Sequence, residues 1–319
     1  MQREDEIEAL VEAIDAGLAR PVDGDTNVRR LVHGRGRTLA GLEELVVDQF
    51  AATLRIGVHG ERDEAWTARL RSRLGERLGT RLDGERGGTV AGVWLQWRGR
   101  AAAPQEVLLG APAEELEVRE AGLRYLVCPG RNRNAGLFLD AAPARRWVRA
   151  QARDARVLNL FAYTCAFSVA ALAGGAAEVV NLDMARATLD TGRDNHRRND
   201  LRGATFLSHE LFRSWGALRR RGPFDLLILD PPSFQRGSFE ADRDWPKLLR
   251  RLDGLLGDGG RVLVCLNSPF HGPAELDGWR RRDAPDFEVL ERLPPCADFP
   301  DLDPQRGLKV QIWGRRQSV

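Results

Sequence analysis

Residues 225–234 read Asp-Leu-Leu-Ile-Leu-Asp-Pro-Pro-Ser-Phe, a four-residue apolar run that stops abruptly at Asp230-Pro231-Pro232. So short an apolar run, closed by breakers, predicts a strand buried on both faces of a parallel sheet. Asp230 then stands at the strand's carboxyl end, where open α/β sheets place their ligands. Proline fixes φ and donates no backbone N–H, so the Pro231-Pro232 turn is stiff. It holds one acid and the Pro231 carbonyl rigidly, an arrangement that suits gripping a planar base by its polar edge. Phe234 suits stacking on such a base, or packing in the core.

The same rhythm extends around this strand. Strand-like runs at 156–160, 178–182, 224–229 and 260–266 alternate with helical patterns, which predicts βαβ units and an α/β domain over 130–319. Leu248, Leu249, Leu252, Leu255 and Leu256 mark a helix near 247–257, and Gly257-Asp258-Gly259-Gly260 reads as a turn into the next strand. Upstream, Ile7, Leu10, Val11, Ile14 and Leu18 have helical spacing. The polar, basic stretch from Pro21 to Gly41 reads as an arm, so 1–42 forms a helix and a basic arm. Residues 43–129 predict a small α+β domain: a strand pair over 44–58, a helix over 62–78, and strands at 90–97, 106–109, 115–119 and 123–128.

Composition excludes several classes. The 319 residues carry 48 basic and 46 acidic side chains, a net charge of +2, so no global basic field argues for an acidic partner. No stretch approaches the ~20 apolar residues of a membrane span, and the acidic start lacks the apolar core of a secretory signal. Cys128, Cys165, Cys265 and Cys296 are scattered, which disfavours a disulfide framework and a zinc site. The five histidines show no metal-ligand spacing. A reduced cytoplasm is the expected location, no metal is expected, and the oligomeric state stays open between monomer and homodimer. Local basic runs are more informative: Arg29, Arg30, Arg35 and Arg37 lie with no acid between Asp25 and Glu43. They form either a solvated face or a contact to RNA phosphates.

The first βα turn of the C-terminal domain is Asn159-Leu-Phe-Ala-Tyr-Thr-Cys165, and no glycine occurs between Gly136 and Gly174. A pyrophosphate needs close approach to glycine backbone, so a dinucleotide is excluded, whereas a nucleoside cofactor without phosphates is not. Asp183 ends the second strand, 24 residues beyond Asn159, where an acid accepts ribose hydroxyls or caps the next helix. Glu210 suits an adenine amino group or a helix start.

From about Ala135 to Trp313 the chain resembles class I S-adenosylmethionine-dependent methyltransferases, and among them the bacterial 23S ribosomal RNA base methyltransferases. The stretches that carry the resemblance are Gly136-Leu-Phe-Leu-Asp140, Asn159-Leu-Phe-Ala-Tyr-Thr164, Val180-Asn-Leu-Asp-Met184, Asn195 with Asn199, Leu227-Ile-Leu-Asp-Pro-Pro-Ser-Phe234 and Gly259-Gly-Arg-Val-Leu-Val264. The resemblance implies a Rossmann-like, mainly parallel seven-stranded sheet, S-adenosyl-L-methionine as cofactor, and RNA as partner. It further implies that Phe161, Tyr163 and Thr164 line the methionine side of the cofactor and that Phe138 and Asn159 also bind it. Asp183 would hold the ribose, Met184 would pack on adenine, Glu210 would reach the adenine amino group, and Leu211 and Asp230 would also bind the cofactor. The family pattern has Gly where Cys165 stands.

Methyl transfer from a sulfonium requires a nucleophile on axis at ~3–3.5 Å. Carbon-5 methylation of a pyrimidine also needs a thiolate, and the chain after Gly259-Gly260 reads Val264-Cys265-Leu266-Asn267-Ser268. Asn267 stands at the position the cytosine enzymes give to cysteine. An amide both donates to and accepts from a purine edge, which favours nitrogen methylation, guanine N7 first. The alternatives are cytosine-C5 chemistry through Cys265, a small-molecule substrate, and a non-catalytic RNA-binding module.

Overall fold

The computed structural model describes residues 3–22, 24–79, 90–232, 234–235 and 239–316, and they form two compact units. The first comprises residues 1–139 together with 296–302. Its elements are α1 (Arg3–Ala19), β1 (Val28–His33), β2 (Leu45–Phe50), β3 (Thr53–Val58), α2 (Glu64–Leu78), β4 (Gly92–Trp97), β5 (Gln105–Gly110), β6 (Leu116–Glu120) and β7 (Leu123–Val127). The first five strands pair in sequence order; β3 and β4 run parallel and the other pairs antiparallel. β6 and β7 form a separate hairpin. The helical spacings bury as expected: Leu10 and Ile14 of α1 and Trp66, Leu70 and Leu74 of α2 are fully buried against Val47, Leu54, Ile56 and Leu95. Asp63 caps α2 by accepting from the Trp66 N–H at 2.8 Å.

The stretch read as a basic arm is partly a strand. Arg30 lies opposite Asp48 in the β1–β2 register, and its guanidinium grips both carboxylate oxygens at 2.8 and 3.1 Å. Arg55 reaches the same carboxylate at 3.2 Å. Asp48 is buried, yet the two guanidinium groups outweigh that burial and hold its carboxyl down at about 2. Cross-strand pairing thus lets charged residues occupy a strand that apolar alternation does not announce.

The second unit comprises residues 140–295 and 303–319. It runs α3 (Ala142–Gln151), β8 (Arg156–Leu160), α4 (Ala166–Ala173), β9 (Glu178–Asp183), α5 (Arg186–Arg198), β10 (Ala204–Ser208), α6 (Trp215–Arg221) and β11 (Phe224–Leu229). A short hairpin, β12 (Phe234–Gln235) and β13 (Phe239–Glu240), then leads to α7 (Ala241–Leu249), β14 (Leu256–Leu266), α8 (Pro273–Asp283), β15 (Phe287–Leu293) and β16 (Lys309–Arg315). The seven-stranded sheet has the order β10-β9-β8-β11-β14-β16-β15. Only β16 runs against the other strands. Leu227 and Leu229 face one hydrophobic cluster while Leu226 and Ile228 face another, so β11 is covered on both sides. The glycine turn expected before β14 lies inside that strand: the register jumps from Phe224–Leu256 to Leu226–Arg261, and Gly259 has φ +71°. The intervening residues bulge out of the ladder.

Candidate active site

The parallel strands bring the carboxyl ends of β8, β9, β10, β11 and β14 to one edge of the sheet. Strand order reverses between β8 and β11, so Phe161 and Asp230 flank the switch point at which such sheets bind ligands. The loop leaving β8 turns without glycine. Phe161, Tyr163 and Cys165 all have left-handed backbone, at φ 58°, 50° and 61°. Each such residue costs roughly 1–2 kcal/mol, which the surroundings must offset. They do so through backbone bonds from Ala162 N to Leu182 O (3.0 Å) and from Cys165 N to Ala162 O (2.7 Å), and through Asn195, which donates to Thr164 O at 3.0 Å. A Cβ on Gly192 of α5 would sit 2.5 Å from the Cys165 sulfur, so the missing side chain there makes room for the thiol. Burial, and then Asp183, push that thiol's pKa up.

Beneath this loop runs a buried polar chain. Asn159 donates to Asn181 Oδ1 at 2.9 Å, and Asn181 donates to Ser168 Oγ at 3.0 Å. The Ser168 hydroxyl meets His196 Nε2 at 2.9 Å, and His196 Nδ1 lies 2.7 Å from Gly192 O. Since a carbonyl only accepts, Nδ1 carries the proton, Nε2 accepts, and burial keeps the imidazole pKa low. Asn159 is 1% exposed, so its amide holds the frame under the loop instead of lining it.

Asp183 sits at the mouth. Its carboxylate accepts from Tyr163 N at 2.8 Å and Ala185 N at 2.9 Å, joining the β8 loop to the start of α5. Met184 is exposed beside it, while Phe161 and Tyr163 are half-buried and Thr164 is buried. Glu210 accepts from Phe212 N and Arg213 N at 2.9 and 3.0 Å, the capping role, and Leu211 lies in the core. Phe138 is partly exposed and belongs to the first unit, two residues before Asp140 opens the second.

Asp230 directly follows β11, and Pro231 after it is buried. Burial raises its pKa to about 7; the Asp140 carboxylate adds to the rise, while Arg145 and a hydrogen bond from the Cys265 thiol oppose it. Cys265 is fully buried on β14, and burial together with Asp230 and Asp140 drives its thiol well above the ordinary range. Asn267 emerges exposed directly after β14. The loop it starts is pinned: Lys309 donates to Ser268 O, Ser268 Oγ meets His271 Nδ1 at 2.9 Å, and His271 Nε2 meets Asp242 at 3.1 Å. His271 also packs 5.3 Å from the Trp279 ring, which anchors it. Phe270, whose N–H donates to Ser268 Oγ at 3.2 Å, is 88% exposed. The Phe234 side chain lies outside the described residues. Asp242 and His271 are 29 positions apart, so no local sequence signal joins them.

The four arginines of the basic stretch are engaged within the first unit. Arg29 is buried and donates to Gln49, Arg20 O and Leu18 O; Arg30 holds Asp48; Arg37 pairs with Asp301 at 3.6 Å; Arg35 meets His59 Nδ1 at 2.6 Å. Among the described residues no group of three His, Cys, Asp or Glu side chains could hold a metal, and no helix is long and apolar enough to cross a membrane.

The polar groups at the sheet edge fit S-adenosylmethionine. Asp183, Glu210, Asp230 and Asp140 are acids, suited to hydroxyls, amines and a cationic sulfonium but not to phosphates. An exposed thioether and half-buried aromatic rings offer flat apolar contacts for a nucleoside. The chain belongs to the family of S-adenosylmethionine-dependent methyltransferases, whose sequence profile matches residues 29–314. It is similar to the ribosomal RNA large subunit methyltransferase I of Aeromonas salmonicida, 32% identical over 59% of this chain and 50% of that one. The methyltransferase I of Serratia proteamaculans is 37% identical over 63% and 54%, and the methyltransferase K/L of Aeromonas hydrophila is 35% identical over 62% and 28%. The chain spans about half the length of these methyltransferase I relatives and less of the K/L protein. In fold it matches a crystallised methyltransferase complexed with SAH, with a TM-score of 0.83 and 21% identity over 98% of this chain and 82% of that one.

Proposed function

We propose that this chain transfers the methyl group of S-adenosylmethionine to a nitrogen of an RNA base, and that the base is a guanine of 23S ribosomal RNA methylated at N7. The curated relatives' names support large-subunit ribosomal RNA as the substrate class. The choice of nitrogen over carbon 5 rests on one observation. Cys265 is fully buried and hydrogen-bonded to Asp230, whereas Asn267 is exposed at the strand end. A thiol held protonated and away from solvent is a poor nucleophile. N7 of guanine is nucleophilic without losing a proton, so no thiolate and no strong base are needed.

Asp183 and the left-handed β8 loop hold the cofactor, which supplies an activated methyl group when bound. Asp230, the Pro231 carbonyl and Asn267 orient the base edge, and Phe270 offers a ring face for stacking. The half-neutral state of Asp230 near pH 7 lets it donate or accept at that edge. Incubation with methyl-labelled S-adenosylmethionine and unmodified 23S RNA, followed by mass mapping, tests the reading. Methylguanosine is expected, and Cys265→Ala is expected to retain activity within a few-fold. Loss of all product in Cys265→Ala, or label at cytosine C5, would overturn the nitrogen assignment.

A further inference from the structure

A second charged cluster lies wholly within the first unit. β1, β3 and β4 run in one direction, because β2 is antiparallel to both β1 and β3 while β3 and β4 are parallel. Their carboxyl ends therefore share one sheet edge. Arg35 follows β1, His59 follows β3 and Arg98 follows β4, so three cationic or imidazole side chains leave from that edge. The segment 132–134 is tied across it. Arg98 donates to Arg133 O at 2.8 Å and reaches Asn134 Oδ1 at 3.5 Å, Arg133 returns a bond to Arg98 O at 3.3 Å, and Gln96 donates to Asn132 O at 3.2 Å.

The acids around this cluster are engaged: Asp48 serves Arg30 and Arg55, and Glu44 pairs with Arg62. Arg98 and Arg133 have no carboxylate partner among the described residues. The excess of positive charge registers on His59, whose pKa falls to about 3 through burial first and then through Arg35, Arg98, Arg30 and Arg133, with no acid among the main causes. A neutral His59 that accepts from Arg35 at Nδ1 keeps its proton on Nε2, which leaves it a donor.

We propose that Arg35, His59, Arg98 and Arg133 form a binding site for the phosphodiester backbone of the substrate RNA. This rests on the reading that the substrate is RNA. Guanidinium forks match phosphate oxygens, and guanidinium and imidazole donors at the parallel ends of β1, β3 and β4 suit a chain that repeats its negative charge. The assignment moves the phosphate contacts away from Arg29, which is buried, and from Arg30 and Arg37, which pair with carboxylates, and adds His59, Arg98 and Arg133 from beyond the basic stretch.

The test measures Kd for a short fluorescein-labelled single-stranded RNA by anisotropy over a KCl series. Arg133→Gln and Arg98→Gln are each expected to weaken binding on the order of tenfold, and to lower the slope of log affinity against log salt by about 0.7. Arg73→Gln, whose partners are Glu8 and Glu76 on the helical face, is expected to leave both unchanged. Calorimetric affinity for S-adenosylmethionine is expected to stay constant throughout. A wild-type slope in Arg133→Gln, an exposed position at which folding is not at stake, would overturn the site, as would equal competition by polyglutamate. RNA binding with the expected slopes but no methylated base would leave the site standing and refute the proposed reaction instead.

Discussion

Replacing Asp230 by Asn is expected to make the protein more stable above neutrality while removing its chemistry. The folded carboxyl has a pKa of about 7 against an ordinary aspartate value of 3.8, because burial and Asp140 disfavour its charge. Below pH 4 folded and unfolded chains both hold the proton, and the acid has no net effect. Between about 4 and 7 the unfolded chain releases the proton and the folded chain keeps it, so stability falls as pH rises through this window. Above pH 7 the full penalty applies. At 1.36 kcal/mol per pH unit it is at most about 4 kcal/mol, and solvent at this partly exposed residue reduces it to about 2 kcal/mol. An amide of the same shape carries no such penalty and still accepts from the Cys265 thiol. Thermal melting of the full 319-residue chain at pH 8 should therefore show Asp230→Asn about 3 °C above wild type, with the gap closing below pH 5. Parallel pH profiles for the two proteins would refute the reasoning, and so would a variant less stable at pH 8.

Other features make their own demands. Gly192→Ala should destabilise by about 1–3 kcal/mol, since its Cβ falls 2.5 Å from the Cys165 sulfur; urea denaturation of the double variant with Cys165→Gly should recover most of that loss, and strict additivity would contradict the contact. Asp183→Asn keeps one acceptor but loses charge next to the Tyr163 and Ala185 amides; calorimetry should report at least tenfold weaker S-adenosylmethionine binding. Phe270→Ala should lower kcat/KM for RNA by roughly 5- to 100-fold, the worth of one stacked base, with cofactor affinity unchanged. An unchanged kcat/KM would remove the ring from the site.

Much of the second unit is legible because its strands are apolar on both faces: Leu226 to Leu229 announce a central strand and its end at Asp230 without further help. Tertiary terms decide the rest. The β1 strand hides behind Arg29 and Arg30, because the pairing of Arg30 with Asp48 is a contact across 18 positions. Asn159 is a cofactor contact by the family resemblance, yet its amide is buried and meets Asn181. Cys165 looks like a defect in the glycine pattern until Gly192, 27 residues later, shows where the sulfur goes. A sequence displays each residue's chemistry but not the neighbour that answers it, and at this site the neighbours fix most of the roles.

Residues 296–302 rejoin the first unit after the whole second sheet except β16 has been made. Phe299 lies under the Arg30 guanidinium at 4.4 Å, Asp298 pairs with Arg20, and the Leu302 N–H reaches Gly36 O at 2.9 Å. A ribosome releasing this chain therefore cannot finish the amino-terminal half first. That half waits for its clasp, and a single cut after residue 139 would strip it of residues 296–302 and leave them behind on the other portion.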